Sequence, residues 1–162
     1  MSIPRMKELV TIVIGASRGI GAGIAKGFGQ EGANVVVVAR SEQPHERLPG
    51  TIHSVATAIN EAGGNAIAIK CDLTLEEEIQ RLVDQTLERY GKIDVVVNNA
   101  AVRIAGNPVV DIQTRHYLLG LKVNLLAPFL VCKYAIPSMM EQRSGSIINI
   151  GSGASESRFP GM

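Results

Sequence analysis

VTIVIGASRGIG, residues 10–21, joins an apolar run to a glycine-rich turn and then to the start of a helical pattern. Residues 10–14 are continuously apolar or β-branched, which is typical of a parallel strand buried on both faces. Gly15 permits a tight exit from that strand, and Gly19 and Gly21 let the backbone come close to a ligand. The free N–H groups at the start of the following helix favour an anion. The stretch therefore predicts a strand, a turn and a helix that together bind a phosphate.

The glycine spacing in this turn, G-x-x-x-G-x-G, differs from two widespread phosphate-binding patterns. It is not the G-x-G-x-x-G of the common dinucleotide fold, and it lacks the Gly-Lys-Ser/Thr ending of nucleoside triphosphatase loops. The alternative is a turn whose glycines serve only the packing of the helix on the strand. Its position between a buried strand and a helix start favours phosphate binding.

Outward from this turn, β-branched runs alternate with longer segments of helical periodicity. Further strands are predicted at residues 34–39, 66–70, 93–97 and 146–150, and helices at 19–32, 52–63, 74–91 and 111–142. Thr74 and Glu77 have the spacing of a capping box at the start of the third helix. Regular alternation of strand and helix predicts a parallel sheet that is covered by helices on both faces.

Length and composition limit the class of protein. The sequence has 162 residues, 46% hydrophobic and 19% charged, which excludes a mainly disordered chain and fits one domain over residues 1–162. Sixteen Lys and Arg residues against fifteen Asp and Glu residues give a net charge of +1. This balance does not favour nucleic acid, so the expected partner is a small molecule.

The positions of the cysteines and histidines and the lengths of the apolar runs indicate whether a disulfide, a metal site or a membrane span is expected. Cys71 and Cys132 lie far apart within apolar runs, which predicts core thiols and no disulfide. His45, His53 and His116 are not spaced as metal ligands with these cysteines, so no metal is predicted. No apolar segment approaches about 18 to 20 residues without a charge or a proline, so no membrane span is predicted. The sequence favours a cytoplasmic protein and leaves an organelle open.

Three segments together resemble the short-chain dehydrogenase/reductase family: residues 14–21, Asn98-Asn99-Ala100 after the fourth strand, and Val123-Asn124-Leu125 in the last helix. The loop at residues 44–52 resembles the branch that contains hydroxysteroid dehydrogenase-like proteins. Two positions depart from the family pattern, because Ile14 stands where Thr is usual and Ala101 where Gly is usual. Loss of the Thr hydroxyl removes a hydrogen bond at the turn, at a cost of about 1 kcal/mol.

The resemblance implies both a fold and an activity. The fold is α/β, a Rossmann-like doubly wound parallel sheet with five strands in the order 3-2-1-4-5, in a single NAD(P)-binding domain that lacks its C-terminal strands. The activity is hydride transfer between a nicotinamide cofactor and an alcohol or carbonyl substrate. The full-length protein is expected to be a homo-oligomer.

The residues after the second strand point to NADP as the cofactor. An NAD site places an acidic residue about 20 residues past the glycine turn to bind the ribose 2′-hydroxyl. Ala39 stands at that place and is followed by Arg40 and Ser41, so a guanidinium can meet a 2′-phosphate. Arg18 can add a second positive charge. Two alternatives stay open: the arginines are solvated loop charges, or Glu42 turns in and favours NAD.

The resemblance also implies a set of cofactor-binding residues. Asp72 would bind the adenine amino group, Leu73 would pack near the ring, and the segment of Asn98 and Ala100 would line the ribose and steady the sheet. The full set is Gly15, Ser17, Arg18, Gly19, Ile20, Gly21, Arg40, Ser41, Asp72, Leu73, Asn98 and Ala100.

Half of the family's catalytic set has a counterpart in this sequence. Asn124 matches the helix asparagine that holds a water, and Ser152 matches the serine that orients the substrate oxygen. The resemblance also implies a Tyr-x-x-x-Lys pair, in which the lysine lowers the pKa of the tyrosine. No such pair is present, because the fourth residue after Tyr90, Tyr117 and Tyr134 is Asp, Leu and Ser.

Only residues 153–162 follow Ser152, so the expectation is a chain cut before the catalytic helix. We expect a polypeptide of residues 1–162 to be inactive by itself and marginally stable, because its fifth strand would be an exposed apolar edge. The alternative to an enzyme is a non-catalytic dinucleotide-binding or dimerisation fragment.

Overall fold

The computed structural model describes residues 4–44, 49–103 and 108–153. Its strands are β1 (Val10–Ile14), β2 (Asn34–Ala39), β3 (Asn65–Lys70), β4 (Val95–Asn98) and β5 (Ser146–Asn149). Its α-helices are α1 (Gly19–Gln30), α2 (Ile52–Glu61), α3 (Glu76–Tyr90), α4 (Thr114–Leu121) and α5 (Ala127–Glu141). A 3₁₀ turn (Val109–Asp111) precedes α4, and a π-helical segment (Lys122–Leu126) joins α4 to α5.

The strands form one parallel sheet of five in the order β3-β2-β1-β4-β5, so the predicted fold class is confirmed. The strand order reverses after β3. β2 pairs with one edge of β1, and β4 pairs with the opposite edge of β1. The carboxyl ends of β1 and β4 consequently lie side by side, with Ile14 opposite Asn98. Such a switch point is where open α/β sheets bind ligands.

Side chains from the two faces of the sheet form two separate cores. Ile12, Val36 and Val96 pack with buried residues of α3 and α5 on one face. Val35 and Val37 pack with buried residues of α1 and α2 on the other face. Because alternate residues of each strand enter opposite cores, the strands are apolar throughout, as the unbroken valine and isoleucine runs predict.

The start of α3 differs from the prediction. The capping box at Thr74 and Glu77 is wrong, because α3 begins at Glu76 and its N-cap, Leu75, makes no side-chain hydrogen bond. The Thr74 hydroxyl instead donates to Asp72 Oδ1 at 2.8 Å. The Glu78 carboxylate accepts from the Asp72 backbone N–H at 2.7 Å. The side chains of Thr74 and Glu78 therefore stabilise the turn that contains Asp72.

The predicted helix at residues 111–142 is interrupted. It contains α4, the π-helical segment and α5, with Pro128 in the first turn of α5. Pro128 has no N–H to donate to the carbonyl of Asn124, four residues earlier, and its ring needs room beside that carbonyl. The wider π turn supplies that room at the position of Asn124.

Within the described ranges, one helix, Thr114–Glu141, is long and apolar enough to cross a membrane by length and composition only. Core helices pass the same test. In this fold five residues of α5, among them Leu130 and Val131, are buried, and α5 packs on α3.

The two cysteines differ in burial. Cys71 is buried as predicted, whereas Cys132 is only half-buried.

Candidate functional site

Backbone contacts hold the glycine-rich turn at the carboxyl end of β1. The backbone N–H groups of Gly15 and Ala16 donate to the carbonyl of Val38 at 2.7 and 2.9 Å. Gly15 has a φ of +78°, and a Cβ there would lie 2.7 Å from the Cα of Ala100. Glycine is therefore required both by the backbone angle and by the approach of the segment after β4.

Asn99 ties the same turn from the other side and was missed as a site residue by the sequence analysis. Its Nδ2 donates to the carbonyls of Ile14 and Gly15 at 3.3 and 3.1 Å. Gly21 lies against this contact, since a Cβ on it would overlap Gly15 O and the Asn99 amide. The signal was present, because Asn99 stands between the predicted residues Asn98 and Ala100. Its amide now holds a turn in which the family's Thr is replaced by Ile14.

The N-terminus of α1 is open to an anion. Arg18 is its N-cap with extended backbone, and the Arg18 carbonyl accepts from Ala22 N at 3.2 Å. The N–H groups of the first turn, from Gly19 onward, have no partner within a helix. No acidic residue lies in that turn to compete for them. This arrangement suits a phosphate group.

An open cleft of about 660 Å³ lies beside the turn at the carboxyl end of the sheet. Six of the predicted cofactor residues line it: Gly15, Arg40, Ser41, Asp72, Leu73 and Ala100. Val102, Leu119 and Val123 complete its apolar wall. The sequence spacing of Val102, Leu119 and Val123 does not indicate that they line one cleft. They come from a loop and from two helical segments, which only the fold brings together.

Arg18 bonds to Ser41, one of the residues that line the cleft. Its Nη2 donates to Ser41 Oγ at 2.9 Å and to the Gly50 carbonyl at 3.4 Å, and Arg18 does not line the cleft. The guanidinium stands behind Ser41, next to the glycine turn. Because Ser41 Oγ accepts this bond, its own O–H is left to donate elsewhere. Gly50 lies against the glycine turn, and a Cβ on it would be 2.4 Å from Ser17 O.

Asp72 remains ionised at the mouth of the cleft. Its Oδ1 accepts from the Thr74 backbone N–H at 3.0 Å. This bond is the main reason why the pKa of Asp72 lies below its usual range, and the Thr74 hydroxyl and the positive charge of Arg40 lower it further. Burial acts in the opposite sense. Asp72 and Arg40 both line this cleft.

Glu42, the acid that could favour NAD, is paired with Lys70 and His53. Its Oε2 lies 2.9 Å from Lys70 Nζ, and its Oε1 lies 3.4 Å from His53 Nε2. Hydrogen bonding to Lys70, then to His53, lowers the pKa of Glu42. The carboxylate does not line the cleft that contains Arg40 and Ser41.

Asn98 belongs mainly to the sheet. It is 7% exposed, and its Nδ2 donates to Asn149 Oδ1 at 2.9 Å across the pair of β4 and β5. The backbone N–H of Ile150 donates to Asn98 O at 2.9 Å. These bonds fix the end of β5, from which the segment of Ser152 departs.

A second, wider cleft continues along the same edge. It is lined by Asn124 and Ser152, by Ile20 from α1, and by Cys132 from α5, and it shares Ala100 and Ala101 with the first cleft. The two predicted catalytic residues therefore face one space. None of the three tyrosines, all of which are described, lines it.

Asn124 is held in place by Val102. Its Oδ1 accepts from Val102 N at 2.8 Å, and its Nδ2 donates to Val102 O at 2.9 Å. The side-chain amide thus fastens the loop after β4 to the π-helical segment. Because Val102 lines the first cleft and Asn124 the second, this contact joins the walls of the two clefts.

Comparison with known proteins gives a family. The model of the short chain dehydrogenase family matches residues 9–162. Hydroxysteroid dehydrogenase-like protein 2 of Danio rerio is 39% identical over 139 residues, which are 85% of this chain and 33% of that protein. L-fucose dehydrogenase of Oryctolagus cuniculus is 36% identical over 141 residues, 87% of this chain and 45% of that protein.

A solved structure agrees in fold as well as sequence. A metagenomic short-chain oxidoreductase in complex with NADP superimposes with a TM-score of 0.85 at 37% identity, covering 95% of this chain and 66% of that one. This chain spans about a third of the length of the Danio rerio relative. With the family model matching nearly the whole chain, and with hydroxysteroid dehydrogenase-like proteins among its relatives, the chain belongs to the short-chain dehydrogenase family.

Proposed function

We propose that this chain binds NADP and forms the cofactor-binding part of an oxidoreductase, as a single NAD(P)-binding domain. The observation that carries the proposal is the pair of clefts that meet at Ala100 and Ala101. One cleft holds Arg40, and the other holds Ser152. An extended dinucleotide fits this arrangement, with adenosine in the first cleft and nicotinamide in the second.

The residues present fit such a cofactor. Gly15 and Gly21 keep the turn free of side chains where a Cβ would collide with neighbouring backbone. The N-terminus of α1 carries no acid, so it accepts a pyrophosphate without repulsion. These two features are the requirements of a phosphate cradle.

Three features support NADP over NAD. Ala39 stands where an NAD site has an acidic residue. Arg40 and Ser41 line the cleft next to it, with Arg18 behind Ser41. Glu42 is paired with Lys70. The positive charges favour a 2′-phosphate, and among the described residues that line the cleft the one carboxylate, Asp72, follows β3 and not β2.

NADP, when bound, supplies or accepts the hydride. In the proposed reaction the Ser152 hydroxyl orients the oxygen of an alcohol or carbonyl substrate in the second cleft. Asn124 positions the wall of that cleft through Val102. The proton donor and the cation that tunes it are proposed to be a Tyr-x-x-x-Lys pair of the full-length protein. A homo-oligomer in the cytoplasm is the corresponding proposal for assembly and location.

Arg40→Asp tests the cofactor assignment. In the full-length protein we expect NADP+ affinity to fall about tenfold or more relative to NAD+ affinity, because a cation is replaced by an anion beside the 2′-phosphate. Isothermal titration calorimetry with both cofactors measures the ratio. Arg89→Asp, at the far end of α3, is the matched control and is expected to leave it unchanged. An unchanged ratio in Arg40→Asp contradicts the assignment.

A second candidate function is a non-catalytic nucleotide-binding or dimerisation module. The exposed apolar side chains of Leu118 and Met140, which line neither cleft, favour it, because they offer a contact surface. Hydride transfer by the full-length protein decides between the two. Turnover that is lost on substitution of an in-frame Tyr after Ser152 supports the enzyme, and cofactor binding without any turnover supports the module.

A further inference from the structure

The contacts of Glu42 show a carboxylate that is held at the edge of the proposed cofactor site. Glu42 directly follows Ser41, which lines the first cleft. Both carboxylate oxygens have partners: Oε2 lies 2.9 Å from Lys70 Nζ at the end of β3, and Oε1 lies 3.4 Å from His53 Nε2 in α2. Glu42 is not among the residues that line the cleft.

A carboxylate near the ribose decides between the two cofactors. It accepts a hydrogen bond from the 2′-hydroxyl of NAD and repels the 2′-phosphate of NADP. Glu42 is close enough in sequence to Arg40 and Ser41 for a different side-chain rotamer to bring its charge to that edge. A group that restrains Glu42 therefore affects cofactor choice even without touching the cofactor.

Lys70 is placed to impose this restraint. It is the last residue of β3 and pairs in register with Ala39, the last residue of β2. The two strand ends lie side by side, so the ammonium reaches the chain just beyond Arg40. The side chains of Lys70 and Glu42 are 52% and 37% exposed, which makes either one replaceable without opening a core.

We propose that Lys70 is a specificity-determining, positioning residue that favours NADP by holding the Glu42 carboxylate away from the ribose 2′ position. The inference rests on the proposed NADP function and adds a residue from outside the cofactor cleft. It differs from direct phosphate binding, because the effect of Lys70 passes through Glu42. Removal of the Glu42 charge should therefore cancel the effect of removing Lys70.

The test is a double-mutant cycle in the full-length protein, with NADP+ and NAD+ affinities measured by calorimetry. Lys70→Met is expected to lower the ratio of NADP+ to NAD+ affinity up to about fivefold, the upper end of the effect of one exposed charge pair. Glu42→Gln alone should change the ratio less than about twofold, since its charge is already paired. The double variant should return to within about twofold of wild type.

Two further variants separate this role from general effects of charge or fold. Lys70→Arg retains the pair and should keep the wild-type ratio. Lys92→Met removes a lysine from an ion pair of equal length, 2.9 Å to Asp94, which lies just before β4 at the opposite end of the sheet. This control should leave the ratio unchanged, because its charge is remote from the cleft.

The outcomes distinguish the two proposals. A wild-type protein without preference for NADP+ overturns the cofactor assignment and the role of Lys70 together. A wild-type preference that Lys70→Met leaves intact overturns the role of Lys70 alone. The same holds for a double variant that stays as low as Lys70→Met, because Lys70 then does not act through Glu42.

Discussion

At the scale of single residues, the phosphate turn depends on space that a side chain would fill. Gly21 packs against the Gly15 carbonyl and the Asn99 amide, and a Cβ would overlap both. Gly23, two residues later in the same helix, has nothing within 4 Å of its Cβ position. A side chain at Gly21 therefore has no space, whereas a side chain at Gly23 has space.

Alanine at Gly21 should therefore weaken cofactor binding, whereas alanine at Gly23 should stabilise the fold. Gly21→Ala pushes the turn away from Asn99, and we expect about tenfold weaker binding of both NADP+ and NAD+, which share the pyrophosphate. Gly23→Ala should bind normally and raise the free energy of unfolding by up to about 1 kcal/mol, because Ala favours helix over Gly. Calorimetry and urea unfolding measure the two effects. Normal binding by Gly21→Ala would contradict the cradle.

At the scale of elements, the turn between β3 and α3 couples a cofactor residue to a helix start. Asp72 accepts two bonds from Thr74, and its backbone N–H donates to Glu78 in the first turns of α3. The helix thus begins from a turn that is held by an ionised side chain. Its stability should depend on pH in the acid range.

Asp72→Asn tests that dependence. Because the pKa of Asp72 is lowered in the folded protein, its contribution is present above the ordinary value of about 3.9 and is lost as the pH falls through the folded value. Asparagine accepts a hydrogen bond at every pH, so the variant should lose less stability between pH 7 and about pH 3. Urea unfolding at both pH values measures this, with Asp84→Asn, exposed on α3, as control. Parallel losses in the wild type and Asp72→Asn would exclude the coupling.

At the scale of the whole molecule, one surface is unusually apolar. Along the π-helical segment and α5, Leu125, Phe129 and Met140 are 67%, 61% and 71% exposed. In the part of the chain that the structure describes, β5 pairs with β4 alone, and Ile148 is 40% exposed. Exposed apolar faces and open strand edges of this kind promote association.

A polypeptide of residues 1–162 should accordingly self-associate and unfold at low temperature or with little cooperativity. Light scattering after size exclusion, together with a thermal melt, measures both properties. Leu125→Lys with Phe129→Lys should reduce association, because both side chains lie in the exposed face and outside the two cores. A monomer with a sharp transition at high temperature would refute this expectation.

The sequence predicted the sheet well and predicted its loops less well. The strands could be located because residues such as Val35 and Val36 enter opposite cores, which leaves an unbroken apolar run in the sequence. The capping box at Thr74 failed because α3 begins at Glu76, so Leu75 and not Thr74 is the N-cap, and the Thr74 hydroxyl bonds to Asp72 in the preceding turn. Pattern rules describe what a side chain can do, and competition among neighbours decides which bond forms.

The sequence by itself determined the parallel α/β fold and its strand, glycine turn and helix, because these depend on local periodicity and on glycine spacing, and it indicated the family through the resemblance of residues 14–21, 98–100 and 123–125. Only the tertiary structure decided that Asn99 holds the turn, that Arg18 bonds to Ser41, and that Glu42 is paired with Lys70. Each of these contacts joins residues from different elements. Their partners are set by how the strands and helices pack, which no local pattern records.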